Sequence, residues 1–385
     1  MKAVGILIAP DKFKGSLSAH EVAENIAVGL RDVLPEADIE TMPVADGGEG
    51  TASVICDAMG GEWVSCAAHD ALGRAIEARY VWLSDRATAV MDMSEAAGTW
   101  RIARDTPDLL RANTFGVGEM IQHATKRGAK EILLGLGGSA TNDGGTGAAR
   151  ALGFRFFATD DELESPEDLL KLSRIVPKEL PGNLTALSRQ EREAFARTFP
   201  KLTGAVDVRN PLLGQRGATR VFGPQKGGTA EQLEILERGL GRLAAVVARD
   251  LGCDFREAPG AGAAGGLGFG LLSFCGATLR PGFDLVAEIL GLEAAIARAD
   301  VVVTGEGCLD RQTLEGKAPA GVARLSRQMG KRVFAIAGCA EDEETIGDIF
   351  DGIFLLATPP ITRDEAMARA KELLQAGGRE LAREL

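Results

Sequence analysis

Histidine is close to absent from this chain, with only His20, His69 and His123 among 385 residues. His20 falls near the start of a predicted helix, His69 in a turn and His123 on a second helix, so all three read as structural or exposed and no Ser-His-Asp triad is supported. No CxxC pair occurs among Cys56, Cys66, Cys253, Cys275, Cys308 and Cys339, which leaves no zinc-type Cys/His spacing. The scattered thiols read as reduced, mostly buried groups of a cytoplasmic protein. Positive charge runs short as well: 43 Lys and Arg against 55 Asp and Glu give a net charge of −12, with no basic stretch to offset repulsion from a nucleic-acid backbone. Nucleic acid is excluded as a partner, while small anions can still bind locally. The amino end, MKAVGILIAP, carries too short an apolar run for a signal peptide and reads as a first strand. One uncharged run, Pro259 to Leu279, is long enough to span a bilayer. Its seven glycines each cost a helix about 1 kcal/mol relative to alanine. Despite the GxxxG spacing at Gly262 and Gly266 it reads as a glycine-rich loop running into a buried helix, and no membrane partner is expected.

Glycine is what the chain has in excess, 49 of 385 residues, about twice the usual share of roughly 7%. It comes in clusters, and the densest is Ile132 to Gly147, ILLGLGGSATNDGGTG. Backbone N–H groups unshielded by any Cβ let such a loop wrap closely around an anion, and the helix formers from Ala148 to Leu152 predict a helix whose N-terminus adds positive potential at the same spot. Asp143 complicates this picture, because a bare carboxylate 4 Å from a phosphate repels it by about 4 kcal/mol at an effective dielectric near 20. Either Asp143 holds Mg²⁺ between itself and phosphates or it works as a base on a hydroxyl, and both readings point to phosphoryl transfer. The competing match is a dinucleotide fingerprint, Gly135-x-Gly137-x-x-Ala140 with Asp160 about twenty residues on. It would require a helix to start inside SATNDGG, against the propensities there.

Four further glycine-rich segments carry charged or polar residues: DKFKGS (11–16), ADGGEGT (45–51), FGPQKGG (222–228) and TGEGCLDRQT (304–313) followed by EGKAP. That inventory suits ATP, Mg²⁺ and an acidic substrate better than hydride or acyl transfer. No Walker A is present: Lys317 follows Gly316, but position 311 is arginine and position 318 alanine. Asp143, Asp310 and Lys317 are the catalytic candidates. Lys14, Ser16, Gly47, Gly48, Gly137, Gly138, Ser139, Thr141, Asn142, Lys226 and Gly305 are candidates for substrate or phosphate contact, and Asp46, Glu49 and Glu306 for Mg²⁺.

Along the chain, AVGILIA (3–9) is a continuous apolar run as in a strand buried on both faces, followed by a helix over 19–34 with a Ser18/Glu21 capping box and a strand at Ile39 to Val44. After Gly60-Gly61, short extended runs at 63–67, 75–83 and 88–93 suggest antiparallel pairing. A helix is expected around Val117 to Lys126, exposed helices and loops from Asp160 to Arg197, and an amphipathic helix over 231–251. From about Leu285 strand and helix alternate again, through strands at 300–304, 332–339 and 349–356, a helix at 318–329 and a closing helix at 363–385. The expected fold is α/β with two domains: a discontinuous, doubly wound, Rossmann- or flavodoxin-like parallel-sheet domain (1–60 and 285–385) and an inserted mixed α/β domain (61–284), with the active site in the cleft.

Taken together, APDKFKGSLSA, VADGGEGT, GLGGSATNDGG, NPLLG, VFGPQKGG, PGAGAAGGLG and TGEGCLDRQTLEGKAP, in this order, resemble the bacterial glycerate kinase family over nearly the whole chain. The resemblance implies ATP-dependent phosphorylation of D-glycerate, commonly to 2-phosphoglycerate, by a two-domain α/β enzyme. A kinase for a related hydroxy acid, a nicotinamide-dependent oxidoreductase and a non-catalytic metabolite-binding protein are the alternatives, and a homo-oligomer is compatible with the sequence. The chain departs from the family pattern at Lys12 (usually serine), at Cys308 (a basic residue), at Phe115 (often tyrosine) and at Glu95 and Ala97. It also lacks a triple glycine between Glu164 and Ile175.

Overall fold

Strand residues 6 to 9 alternate between two cores. Ile6 and Ile8 pack with Val22, Ile26 and Leu374 on one side, whereas Leu7 and Ala9 pack with Phe283, Leu292 and Val322 on the other. The same alternation holds for Val301 to Val303 and for Val333 to Ala337, which is why these runs are apolar at every position. The computed structural model describes residues 3–102, 108–177, 199–310, 313, 317–341, 347–358 and 360–385. The chain forms two units, one of residues 1–46, 53–59 and 281–385 and the other of residues 47–52 and 60–280.

The first unit is a five-stranded, wholly parallel sheet in the order Gly352–Leu355, Arg332–Ala337, Val301–Thr304, Gly5–Ile8, Asp38–Thr41. Helix Ala19–Val33 begins at the Ser18/Glu21 capping box and packs on Ala370–Glu384. The two helices approach so closely at Gly29 that a methyl there would lie 2.1 Å from the Gln375 carbonyl oxygen. The expected single closing helix is two, Arg363–Ala368 and Ala370–Glu384, broken at Arg369.

The second unit holds a mixed six-stranded sheet in the order Thr278–Pro281, Lys201–Val206, Glu131–Gly135, Thr88–Asp92, Ala75–Leu83, Glu62–His69. Glu62–His69, Ala75–Leu83 and Thr88–Asp92 pair antiparallel, while Thr88–Asp92, Glu131–Gly135 and Lys201–Val206 run parallel. Where exposed helices and loops were expected from Asp160, the chain instead makes a small antiparallel sheet of Asp161–Glu162, Phe154–Ala158 and Arg174–Pro177, with a 3₁₀ turn at Pro166–Lys171. Its charges lie outside, with Arg155 on Glu162 at 2.8 Å. Phe154 and Phe156, ahead of the charged stretch, and Leu163, Leu169 and Ile175 within it pack into the core. The remainder of that stretch, residues 178–198, lies outside the described residues.

The uncharged Pro259–Leu279 run contains helix Ala263–Cys275, whose residues 264–266 are left-handed rather than helical. No helix among the described residues is long and apolar enough to cross a membrane. Of the six cysteines, Cys56, Cys66, Cys253 and Cys275 are buried, and Cys308 and Cys339 are partly exposed.

The Gly29 contact can be tested by weighing two opposed effects. Alanine in a helix gains about 1 kcal/mol of propensity over glycine, but backbone overpacking costs about 1–3 kcal/mol. Gly29→Ala is expected to lower stability by about 1 kcal/mol or more on this balance. Gly241→Ala, where the new methyl meets only Leu213 Cδ1 at 4.0 Å, is expected to raise it by up to about 1 kcal/mol. Urea denaturation of both variants reads the difference.

Candidate active site

In the second unit, strand Glu131–Gly135 runs into the glycine loop, and helix Thr146–Ala151 follows it. Asp143 lies between them, fully buried. Its Oδ2 accepts from Thr114 N (2.9 Å), Thr114 Oγ1 (2.8 Å) and Gly147 N (2.9 Å), and its Oδ1 from Gly145 N (3.0 Å). The helix N-terminus expected to face a phosphate faces this carboxylate instead, and Ala148 N is taken by Thr114 Oγ1 at 2.9 Å. The repulsion anticipated between Asp143 and an anion is thereby offset by four donors. The dinucleotide fingerprint lacks its helix, since the first helical residue after Gly135 is Thr146.

Lys226, on the 3₁₀ turn Pro224–Lys226, reaches the other side of this loop. Its Nζ donates to Ser139 Oγ and to the Thr141 carbonyl, both at 2.7 Å. Burial pushes the Lys226 pKa down to about 7, against the pull of the Asp143 charge. Asn142 Nδ2 donates to Thr219 Oγ1 at 3.0 Å, whereas Asn142 Oδ1 and Thr141 Oγ1 are buried without a hydrogen-bond partner. The ADGGEGT segment is brought against the same loop: a methyl on Gly137 would fall 2.4 Å from Gly48 Cα and one on Gly135 2.8 Å from the Gly47 oxygen. Asp92 ties that segment down by accepting from Gly50 N (2.8 Å) and Ala52 N (3.2 Å). Glu49 is exposed there, and a methyl on Gly138 would sit 3.8 Å from its Oε2.

In the first unit, charged groups gather at the carboxyl ends of the parallel strands, where α/β sheets commonly bind ligands. Asp11 follows the strand Gly5–Ile8, and its N–H donates to the Gly305 carbonyl at 2.8 Å. It is buried, and burial raises its pKa to about 7; Lys12 opposes this while Asp46 and Glu306 add to it. Glu306 follows Val301–Thr304; burial raises its pKa too, against Lys317 and the hydrogen bond from Thr313 Oγ1 at 2.6 Å. Asp310 Oδ1 accepts from Thr313 N (3.0 Å) and Lys317 Nζ (3.1 Å). Lys317, at the N-cap of helix Ala318–Gln328, also lies 3.7 Å from Glu306 Oε2. Burial draws its ammonium pKa down, but Glu306 and Asp310 outweigh this and hold it above the ordinary value.

Gly305 has no room for a side chain, since a methyl would lie 2.0 Å from the Ile336 oxygen. Lys14 is exposed, and Ser16 Oγ donates to the Met367 carbonyl at 3.1 Å.

The structure therefore gathers Asp46, Glu306, Asp310 and Lys317 in one unit, and Gly47, Gly48, Glu49, Gly137 to Asp143 and Lys226 in the other. Among the described residues no group of three or more His, Cys, Asp or Glu is spaced to hold a metal ion. Sequence reasoning passed over Asp11, Asp92, Thr114, Thr219 and Thr313. Asp11 lay inside a motif already singled out, but the threonines carry no signal until the fold places their hydroxyls on Asp143, Asn142 and Glu306.

Comparison with known proteins gives consistent matches. The chain matches the Glycerate kinase family over residues 6–385. It is 39% identical to the glycerate kinase of Bacillus subtilis, covering 98% of this chain and 96% of that one. It is 37% identical to the glycerate 2-kinase of Escherichia coli, covering 98% and 97% respectively. A crystal structure from Salmonella typhimurium LT2, provisionally described as glycerate kinase 2, superposes with a TM-score of 0.82 at 38% identity, covering 100% of this chain and 98% of that one.

The buried amine yields a pH prediction. With its pKa lowered in the folded state from 10.5 to about 7, Lys226 stabilises the fold most above the unfolded-state pKa. That contribution is lost as pH falls from about 10 to about 7, with a slope of up to about 1.4 kcal/mol per pH unit. Denaturation across pH 7 to 10 should show wild-type stability declining toward pH 7 relative to Lys226→Met. A pH-independent difference would mean that Lys226 titrates normally.

Proposed function

The chain belongs to the glycerate kinase family, and on that premise we propose that it transfers the γ-phosphoryl group of ATP to the 2-hydroxyl of D-glycerate, giving 2-phosphoglycerate and ADP. Phosphoryl transfer asks a protein mainly for positioning and charge neutralisation, and the residues at hand supply both. The observation that carries the reading is Lys226, a buried amine hydrogen-bonded to Ser139 and to the backbone of the glycine loop. It is the arrangement expected of a cradle for phosphate oxygens.

In this proposal Lys226, Ser139, Gly137, Gly138, Gly47 and Gly48 take phosphate oxygens, with Thr141 and Asn142 shaping the loop. Asp143 is a positioning residue, because its oxygens are already engaged by four donors. Asp310 accepts the proton of the attacking hydroxyl, held in place by Thr313 and Lys317, while Lys317, Lys14 and Ser16 serve the anionic groups of the reactants. Gly305 lets the Glu306 loop pass close to the neighbouring strand. The carboxylates fit Mg²⁺, a hard ion that takes one or two of them plus phosphate oxygens rather than a closed protein cage. Asp46 and Glu306, both in the first unit, would hold it, and the ion when bound would neutralise phosphate charge. We also take the two units to be the enzyme's two domains, the second inserted into the first. We take the setting to be the cytoplasm, where thiols are kept reduced.

Phosphorus NMR of the protein incubated with Mg²⁺, ATP and D-glycerate tests the reaction. The expected new signal is the phosphomonoester of 2-phosphoglycerate. Appearance of 3-phosphoglycerate would keep the kinase and move the attacking oxygen, while no product from folded protein would overturn the reading. Replacing Asp310 by Asn should lower kcat by about 10²- to 10⁴-fold, the usual contribution of a positioned general base; unaltered turnover would remove Asp310 from the mechanism.

A further inference from the structure

Trp100 has no part in the chemistry above, yet it is the most exposed of the large apolar side chains among the described residues, with 56% of its surface open. It sits on the segment that pairs with the glycine loop: Gly98 bridges Ser139, Thr99 N donates to the Gly138 carbonyl at 3.0 Å and Ala140 N to the Ala97 carbonyl at 2.8 Å. The indole folds back over Gly98, where a methyl would lie 2.8 Å from its Nε1. The Arg101 guanidinium covers the ring at 4.3 Å from its centroid. That guanidinium is itself held, donating from Nη2 to the Glu77 carbonyl at 3.2 Å and lying 3.6 Å from Glu95 Oε2. A flat ring is thus held from one side by a fixed cation, with much of its surface left open beside the loop assigned to phosphate.

We propose that Trp100, backed by Arg101 and Glu95, is the platform on which the purine base of the phosphoryl donor stacks. The proposal rests on the kinase reading and adds a nucleobase subsite to it. A three-carbon hydroxy acid bears oxygen on every carbon and has no aromatic ring to offer, whereas a nucleobase stacks on an aromatic ring whatever its edge pattern. Cation–π contact from Arg101 fixes the ring in advance, so little side-chain freedom is lost when a base settles on it. Trp63, also exposed and covered by Arg79 at 4.4 Å, lies on the sheet-edge strand Glu62–His69 rather than on the segment paired with the loop. It is not part of the subsite.

Calorimetric titration of the full chain with ADP, and with inorganic tripolyphosphate as a probe that has no base, tests the assignment. Trp100→Ala should weaken ADP binding by about 5- to 150-fold, the range for one stacked base. Trp100→Phe should recover most of it, and tripolyphosphate should bind the wild type and both variants alike. Equal ADP affinity in the wild type and Trp100→Ala would overturn the subsite while leaving the kinase reading intact. So would an equal loss of ADP and tripolyphosphate affinity, which would show Trp100 acting through the loop. Absence of any phosphorylated product with the wild type would overturn the kinase reading, and the subsite with it.

Discussion

A buried carboxylate saturated by hydrogen bonds is the constraint on which the glycine loop depends. Asp143 gathers Thr114 N and Oγ1, Gly145 N and Gly147 N, and so joins the start of helix Phe115–Arg127 to the start of helix Thr146–Ala151 through one side chain. Hydrogen bonds to a charged group contribute about 1.5–3 kcal/mol each, and a buried charge without them is strongly destabilising. The loop is therefore held from within, by the residue whose charge made it hardest to interpret from sequence.

Glycine completes the arrangement by letting backbone lie on backbone. Methyls on Gly265, Gly266 and Gly270 would fall 2.0 Å from the Thr141 oxygen, 2.8 Å from Gly144 Cα and 2.7 Å from the Gly144 oxygen. The left-handed turn at Ala264, Gly265 and Gly266, with φ of 53°, 67° and 90°, is what brings the PGAGAAGGLG segment so close. Ala264 adopts a conformation that costs a non-glycine residue on the order of 1 kcal/mol or more, a strain maintained only because the surrounding contacts over-determine the turn.

The first unit solves a different problem. Its sheet is covered on both faces, so the carboxyl ends of its strands are where polar side chains can collect. Asp11, Asp46, Glu306 and Asp310 collect there with Lys12 and Lys317 as counter-charges. Burial and mutual repulsion raise Asp11 and Glu306 above the ordinary carboxylate range. The same charges hold the Lys317 ammonium pKa above its ordinary value, so the strand ends carry a set of mutually dependent charges.

Much of this was legible in the amino-acid order. Continuous apolar runs such as AVGILIA marked strands buried on both faces, the Ser18/Glu21 box marked a helix start, and seven ordered motifs marked the family. These are local signals, written in spacings of a few residues, and a chain reports them without folding. The Asp160 stretch misled because its surface charge outweighs the few apolar residues, such as Leu163, Leu169 and Ile175, that reach the core. The partners of Asp143, the donors from Lys226 and the placing of Trp100 beside Gly138 could not be read at all. Thr114 is 29 residues from Asp143, and Lys226 is 87 residues from Ser139. Local pattern determined which elements form and where the glycine-rich loops fall between them. Only the tertiary structure decided which donors meet which acceptors, because burial and hydrogen-bond pairing depend on distances that sequence separation does not encode.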